Sequence, residues 1–564
     1  MFKKIVFYSF ILVALVGLMT ACSSSLKPLA ADYVKADPQP LEMVAGKVPV
    51  TINATFPANW FNKKASVVVT PVLRYASGEA WGTSYTFQGE KVSGNGQVIP
   101  QKAGANVTMK SSFDFVPEMR KSDLYLTFTA KIGKKEVNLP EIKIGEGVLA
   151  TAALLNAGSE IPVIDQDKFQ KVIKEAHDAN IMFLIQQANL RASELNKAEV
   201  TDWKGVVANA GNASNQKVDL EVSAYASPDG GPKLNDKLAQ QRETNTNKYL
   251  QGEMKKANVN APIATNFTAQ DWDGFQELVS KSNIQDKNLI LNVLSMYKDP
   301  VQREQEIKNM SSVFSVLADE ILPQLRRSRL TANIQIIGKS DEELSQLATS
   351  DPKSLNIEEL LYAATLTNSL PTKENIYKAA TQLFPTDSRA FNNLGAIEFE
   401  RGNLSDAESM FNKALSLGSS PETNLNLGLV NIANGNMDKA QQLLGKASGL
   451  SQIGSAMGLI DVANGNYSKA VSSFGSSTTN NSALAQLLNK DYSSALSTLN
   501  AVATPNATTS YLKAVVAART NDASSVVSNL KQAVQLDPSM VQKASTDLEF
   551  VKYLTNPDFL SIIK

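Results

Sequence analysis

A carboxylate and a guanidinium stand near each other where a predicted strand turns into a predicted helix. The run Ala224–Leu250 carries Ser227, Asp229, Gly230-Gly231-Pro232, Asn235 and Arg242. Charged groups at such a turn suit ligand holding, because charge-assisted hydrogen bonds are stronger than neutral ones. Asp271 and Asp273 flank Trp272, and paired carboxylates can run acid–base chemistry. Asp273-Gly274 before Phe275 reads instead as a helix start. The single histidine, His177, stands among Lys174, Glu175 and Asp178 in a polar stretch read as helical and solvated. The single cysteine is Cys22. These counts nearly exclude a His/Cys metal site and a cysteine-based catalytic pair. No nucleophile elbow or phosphate loop is present. The expectation is a non-enzyme without metal or cofactor. Lys+Arg and Asp+Glu are equal at 55 each, so no global field favours nucleic acid.

The elements that position these groups begin with an address. Lys3 and Lys4 precede an apolar run, Ile5–Leu18, and Met19-Thr20-Ala21 leads to Cys22. This resembles a bacterial lipoprotein signal, residues 1–21, with a lipobox. The resemblance implies that Cys22 is lipidated and anchors the protein in the outer membrane. More than one acyl chain would hold it firmly, since one alone binds only marginally. No acidic cluster follows Cys22, which favours the periplasmic face. No other segment is long and apolar enough to span a bilayer. Residues 22–40, rich in Ser, Pro and Ala, read as a tether able to span tens of ångströms.

Residues 41–150 alternate with period two, as in Val48, Val50 and Ile52, and again in Leu124, Leu126 and Phe128. Val67–Leu73 is an apolar β-branched run broken by Pro71. Short, regularly spaced strands predict a β-sandwich, and the runs at 48–56 and 61–75 resemble a β domain of Bacteroidota envelope lipoproteins. Trp60, Trp81, Tyr85 and Phe87 read as a ligand surface or as core and edge residues.

Residues 151–345 mix helix and strand. Strands are expected at Ile181–Ile185, Val218–Ala226, Ile263–Phe267 and Leu330–Ile337. Helices are expected at Glu199–Ala210 and from Pro232 to about Lys256. This order resembles an OmpA-like α/β domain, with Arg326-Arg327 before the closing strand. A helical insertion covers about 269–325. In that family an Asp and an Arg hold the ammonium and the carboxylate of a diaminopimelate residue in peptidoglycan. The resemblance places Arg242 at the arginine position, Asn235 at the conserved asparagine, and Ser227 at the acidic one. Asp229 lies two residues beyond. Two readings follow: a retained peptidoglycan site, or a degenerate domain used for structure or docking.

Residues 346–564 repeat. Leu394-Gly395, Gly402, Ala407, Phe411 and Ala414 recur as Leu427-Gly428, Gly435, Ala440, Leu444 and Ala447, an offset of 33 residues from Gly402 to Gly435. Gly458, Gly465, Ala470 and Phe474 make a third copy. The pattern resembles tetratricopeptide repeats and implies an α-solenoid. A carboxylate clamp is missing, since Asn392, Ala396, Leu425 and Leu429 hold its positions. Asn426, Asn431 and Asn434 are candidates to line a polar, protein-binding concave face.

The sequence therefore describes a multidomain chain: β-sandwich, α/β OmpA-like domain with helical insertion, and solenoid. The expected function is a lipid-anchored envelope scaffold. It would link the outer membrane to peptidoglycan, to protein partners, or to both. The alternative is an assembly factor of an outer-membrane complex whose α/β domain no longer binds peptidoglycan.

Overall fold

The computed structural model describes residues 26–309 and 311–564, so Cys22 and the signal segment lie outside the described residues. The chain forms two compact units. One takes the residues up to Asp165 together with Phe384–Lys564, and the other is Gln166–Leu383.

The first unit begins with two sheets. Strand Lys47–Phe56 pairs antiparallel with Val34–Asp37 on one side and Ala105–Asp114 on the other. Its apolar residues Val48, Val50, Ile52, Ala54 and Phe56 point inward, as a period of two requires. The second sheet is built on the antiparallel pair Ala65–Tyr75 and Ser122–Ile132. Both sheets feed one core around Phe56, Phe61 and Phe87. Pro71 does not break its strand. On one side it pairs with Leu126. On the other it falls between the stretch that pairs with Tyr85–Gly89 and the stretch that pairs with Gly78–Trp81, where no ladder donor is needed.

Two sequence expectations need correction here. The tether does not extend to Pro40, because Leu26, Leu29, Val34 and Ala36 are buried in the sheet core. Short apolar side chains spaced through a Ser/Pro-rich stretch were enough to bring it in. Residues 151–165 do not belong with the α/β domain, because they group with the first unit.

The same unit ends in five helical hairpins. Their first helices are Ser388–Glu400, Pro421–Ala433, Ile453–Ala463, Asn480–Leu488 and Ala507–Arg519. Their second helices are Leu404–Leu417, Met437–Leu444, Tyr467–Phe474, Tyr492–Asn500 and Ala523–Leu536. They resemble tetratricopeptide repeats. The recurring small residue lets paired helices approach: a Cβ on Gly458 would lie 2.6 Å from the Phe474 ring, and one on Gly395 2.8 Å from Phe411. Phe550, Tyr553 and Phe559 close the far end of the core.

The turn inside each hairpin uses one left-handed residue. Gly402, Gly435 and Gly465 serve in the first three, at φ +80°, +77° and +74°. Lys490 and Asn521 take that place in the last two, at φ +65° and +60°. Asparagine tolerates this region and lysine does not. Lys490→Gly is therefore expected to stabilise the solenoid by about 1 kcal/mol, read as a raised denaturant midpoint with unchanged slope.

The second unit holds a four-stranded sheet in the order Val172–Met182, Arg327–Ile337, Gln216–Tyr225, Ile263–Thr268. The last pair is parallel and the others antiparallel. Helices Ala198–Gly211 and Pro232–Lys256 pack on it through Val200, Trp203, Val207, Leu250 and Met254. Helices between Trp272 and Leu325 fill the insertion around a core of their own, with Phe275, Val279, Ile290 and Leu294. Helices Asp341–Ser350, Ile357–Thr365 and Leu370–Leu383 complete the unit, so residues 346–383, expected in the solenoid, group here instead. His177 lies in strand Val172–Met182 opposite Ala332, not in a helix. That strand is at the sheet edge, and the polar residues that suggested a solvated helix are what an edge strand keeps outward.

Candidate functional site

The strand–turn–helix run folds as the spacing predicts, with strand Gln216–Tyr225 and helix Pro232–Lys256. Asn235 fixes the turn between them, donating to the carbonyls of Ser227 at 2.9 Å and Gly230 at 2.8 Å. Ser227 donates its hydroxyl to Asp229. The other Asp229 oxygen pairs with Arg326 at 3.1 Å. Arg326 also reaches the Ser227 hydroxyl at 3.3 Å. Asp229 and Arg242 line the same small cleft, but Asp229 is already engaged by Ser227 and Arg326.

Arg242 is 1% exposed. Its guanidinium donates to the carbonyls of Tyr225 at 2.7 Å, Gln187 at 3.0 Å and Leu184 at 3.4 Å. It also lies 5.0 Å from the centre of the Phe183 ring. Burial, with the nearby Arg326 charge, pushes its pKa down to about 10, so it stays charged at neutrality. The cleft between Gln186, Ser227, Leu234 and Arg326 has a volume of about 50 Å³, well below the roughly 300 Å³ at which small-molecule sites begin. From the insertion, Lys308 reaches over to the Asp229 carbonyl at 3.3 Å.

Asp271 is the cap of helix Trp272–Lys281, accepting from the Gly274 amide at 2.9 Å. The expected cap, Asp273, sits in the first turn instead. Asp271 also meets Arg327 at 3.0 Å, so the two carboxylates do not act as a pair. The aromatics of the sheet domain do not form one exposed ligand surface either, because Trp60 and Phe87 both pack against Phe56. Phe87 is core, Trp60 packs against Phe56, and Trp81 is exposed. Among the described residues no group of His, Cys, Asp or Glu could hold a metal ion, and no helix is long and apolar enough to cross a membrane.

A second constellation is on the inner helices of the solenoid. The segment Asn156–Asp165 crosses them, held through its main chain. Asn481 accepts from the Asn156 amide at 3.0 Å and donates to its carbonyl at 2.9 Å. Asn426 does the same for Val163, at 2.8 and 2.7 Å. Asn393 does so for Asp165, at 2.7 and 3.0 Å. Asn392 adds a bond to the Val163 carbonyl at 3.1 Å. Each paired asparagine imitates one rung of an antiparallel sheet. Nearer the far end, Thr151 donates to Glu549, which pairs with Arg519.

Of the three asparagines singled out in the sequence, Asn426 is in this ladder. Asn431 donates to the Leu427 carbonyl of its own helix at 2.7 Å, and Asn434 is the exposed C-terminal cap of that helix. Asn393 and Asn481 are not among them. A signal for Asn393 existed: it stands 33 residues before Asn426, in the equivalent position of the preceding repeat.

The chain resembles solved tetratricopeptide repeat structures in fold alone. Solved structures that it resembles include a tetratricopeptide repeat protein from Parabacteroides merdae, at 17% identity over 37% of this chain and 91% of that one, TM-score 0.30. They include Pseudomonas aeruginosa pilF, at 17% over 38% and 98%, TM-score 0.28. They also include YrrB, a TPR protein with an unusual peptide-binding site, at 18% over 35% and 94%, TM-score 0.21. No family model matches the sequence, and no curated protein matches it.

The ladder carries an electrostatic cost. Burial, with the like charge of Glu422, pushes the Asp165 pKa up to about 6, although Ser420 and Arg389 oppose the shift. Burial also raises Glu160, against a hydrogen bond from Asn481. A carboxyl raised in the docked state favours docking fully below its ordinary value and loses that contribution as pH climbs to about 6. The Val163 amide should therefore lose exchange protection between pH 4 and pH 6, by up to about tenfold per pH unit. Asp165→Asn should flatten that dependence. Hydrogen–deuterium exchange, corrected for intrinsic rates, checks both.

Proposed function

We propose that the protein is a non-enzymatic scaffold of the bacterial envelope, anchored through a lipid on Cys22, that works by holding protein partners on its solenoid. The observation that carries this reading is the asparagine ladder. A surface that binds an extended main chain through paired amide bonds is built for polypeptide. The lipid anchor rests on the lipobox-like Met19–Cys22. It places the protein at the outer membrane, facing the periplasm.

In this reading the OmpA-like resemblance of the α/β domain is one of fold, and its ligand site is degenerate. Support comes from Arg242, whose donors are committed to three carbonyls, and from Asp229, which is committed to Arg326. The second reading, a retained peptidoglycan site, keeps Ser227, Asp229, Asn235 and Arg242 as its binding residues.

A photo-crosslinking residue at the exposed Gln452, beside the ladder, tests the first reading in living cells. Discrete protein adducts that vanish in the Asn393→Ala, Asn426→Ala chain are expected. Co-sedimentation of the protein with purified peptidoglycan, competed by diaminopimelate-containing fragments and without such adducts, would reverse the assignment.

A further inference from the structure

The ladder raises a question that the scaffold reading leaves open, because its groove is already filled by Asn156–Asp165. Three features of that occupant matter. First, the Asn393 and Asn426 clamps touch only main chain of the segment, whereas Asn481 also donates to the Glu160 carboxylate at 2.8 Å. Asn393 and Asn426, at equivalent places in successive repeats, hold Asp165 and Val163, two residues apart as one face of an extended strand requires. Any extended segment with free N–H groups at that spacing satisfies them. Second, the occupant is a poor match in charge. The Asp165 carboxyl faces Glu422, and only Ser420 and Arg389 offset this. Ser420 donates to it at 3.4 Å. Third, the occupant leaves space unfilled. Ile161 is 77% exposed. Beside it a cavity of about 520 Å³ is lined by Leu425, Leu429, Gln452 and Asn480. That volume is in the range of ligand sites.

We propose that Asn156–Asp165 is a resident stand-in for the partner. An extended partner segment, uncharged where Asp165 lies and carrying an aliphatic side chain for the Leu425–Leu429 cavity, displaces it and takes over the Asn393 and Asn426 clamps. This rests on the scaffold reading and names its partner class and its regulation. The resident segment is tethered at both ends, so it competes at an effective concentration of roughly millimolar. A partner must therefore bind well or be presented locally. That makes the groove selective although the clamps ignore side chains.

The test uses the full chain and a fluorescent peptide of residues 156–165 carrying Glu160→Gln and Asp165→Asn. Val163→Pro removes the amide that donates to Asn426 and loosens the resident segment. The loosened chain is expected to bind the peptide at least tenfold more tightly than the wild type. Adding Asn393→Ala and Asn426→Ala should abolish that binding. In the wild type, saturating peptide should speed exchange of the Val163 and Asp165 amides.

Equal affinity in loosened and wild-type chains, or binding indifferent to the two asparagines, overturns the proposal. If Val163→Pro fails to fold, the wild-type exchange experiment decides, and unchanged protection under saturating peptide overturns it. Two chains per particle in sedimentation, with the peptide excluded, would also overturn it in favour of segment exchange between copies. Adducts at Gln452 without release of the resident segment would leave the scaffold standing and remove the displacement.

Discussion

Arg242→Ala is expected to lower the unfolding midpoint of the α/β unit sharply, by the equivalent of about 3–5 kcal/mol. The loss follows from what the side chain leaves behind. Its guanidinium serves the carbonyls of Tyr225, Gln187 and Leu184. Tyr225 ends a central strand, and the other two belong to the loop that follows the edge strand. Truncation strands the Tyr225 acceptor at the end of a central strand, unties the exposed loop at Leu184 and Gln187, and opens a cavity against Phe183. Arg242→Lys should recover only part of the loss, since one ammonium cannot reproduce a planar fork. A ligand-binding arginine would behave in the opposite way, with binding lost and stability kept or improved. Calorimetry of both variants, beside a peptidoglycan sedimentation assay of the wild type, separates the two roles.

The same residue shows where sequence reading stops. Arg242 stands out through the OmpA-like resemblance of its run, and the strand and helix that carry it form as expected. Nothing in the sequence distinguishes a guanidinium offered to a ligand from one spent on carbonyls. The difference lies in the path of the loop around Leu184–Gln187, which has no periodicity to betray it. The solenoid was legible because close helix approach demands small residues at fixed intervals, as at Gly395 and Gly458. Residues 151–165 were not, because a segment held by other residues' side chains needs no pattern of its own. Leu26–Pro40 was misread for a related reason: a few small apolar residues among Ser and Pro suffice for a strand that has a ready-made sheet to join.

The double variant Asn393→Ala, Asn426→Ala should free the segment that the solenoid holds. Each asparagine accepts from the N–H and donates to the carbonyl of one residue, and Asn426 also bonds Asn392 at 3.0 Å. Losing one side of a buried pair leaves the other side unsatisfied, at about 1–3 kcal/mol per group. Two clamps lost together amount to a hundredfold or more in the docking equilibrium, at roughly 1.4 kcal/mol per tenfold. The Val163 and Asp165 amides should then exchange at least about a hundredfold faster, while amides inside helices Leu404–Leu417 and Ala523–Leu536 keep their protection. Asn434→Ala, at an exposed helix end, supplies the control and should stay within about 0.5 kcal/mol of wild type. If the double variant behaved like the control, the segment would be held by its apolar packing alone. The asparagines would then be no basis for recognising a partner's main chain. If only the double variant releases it, the inner face of this solenoid reads backbone conformation. The 33-residue spacing of Asn393 and Asn426 would then be a binding register as well as a repeat length.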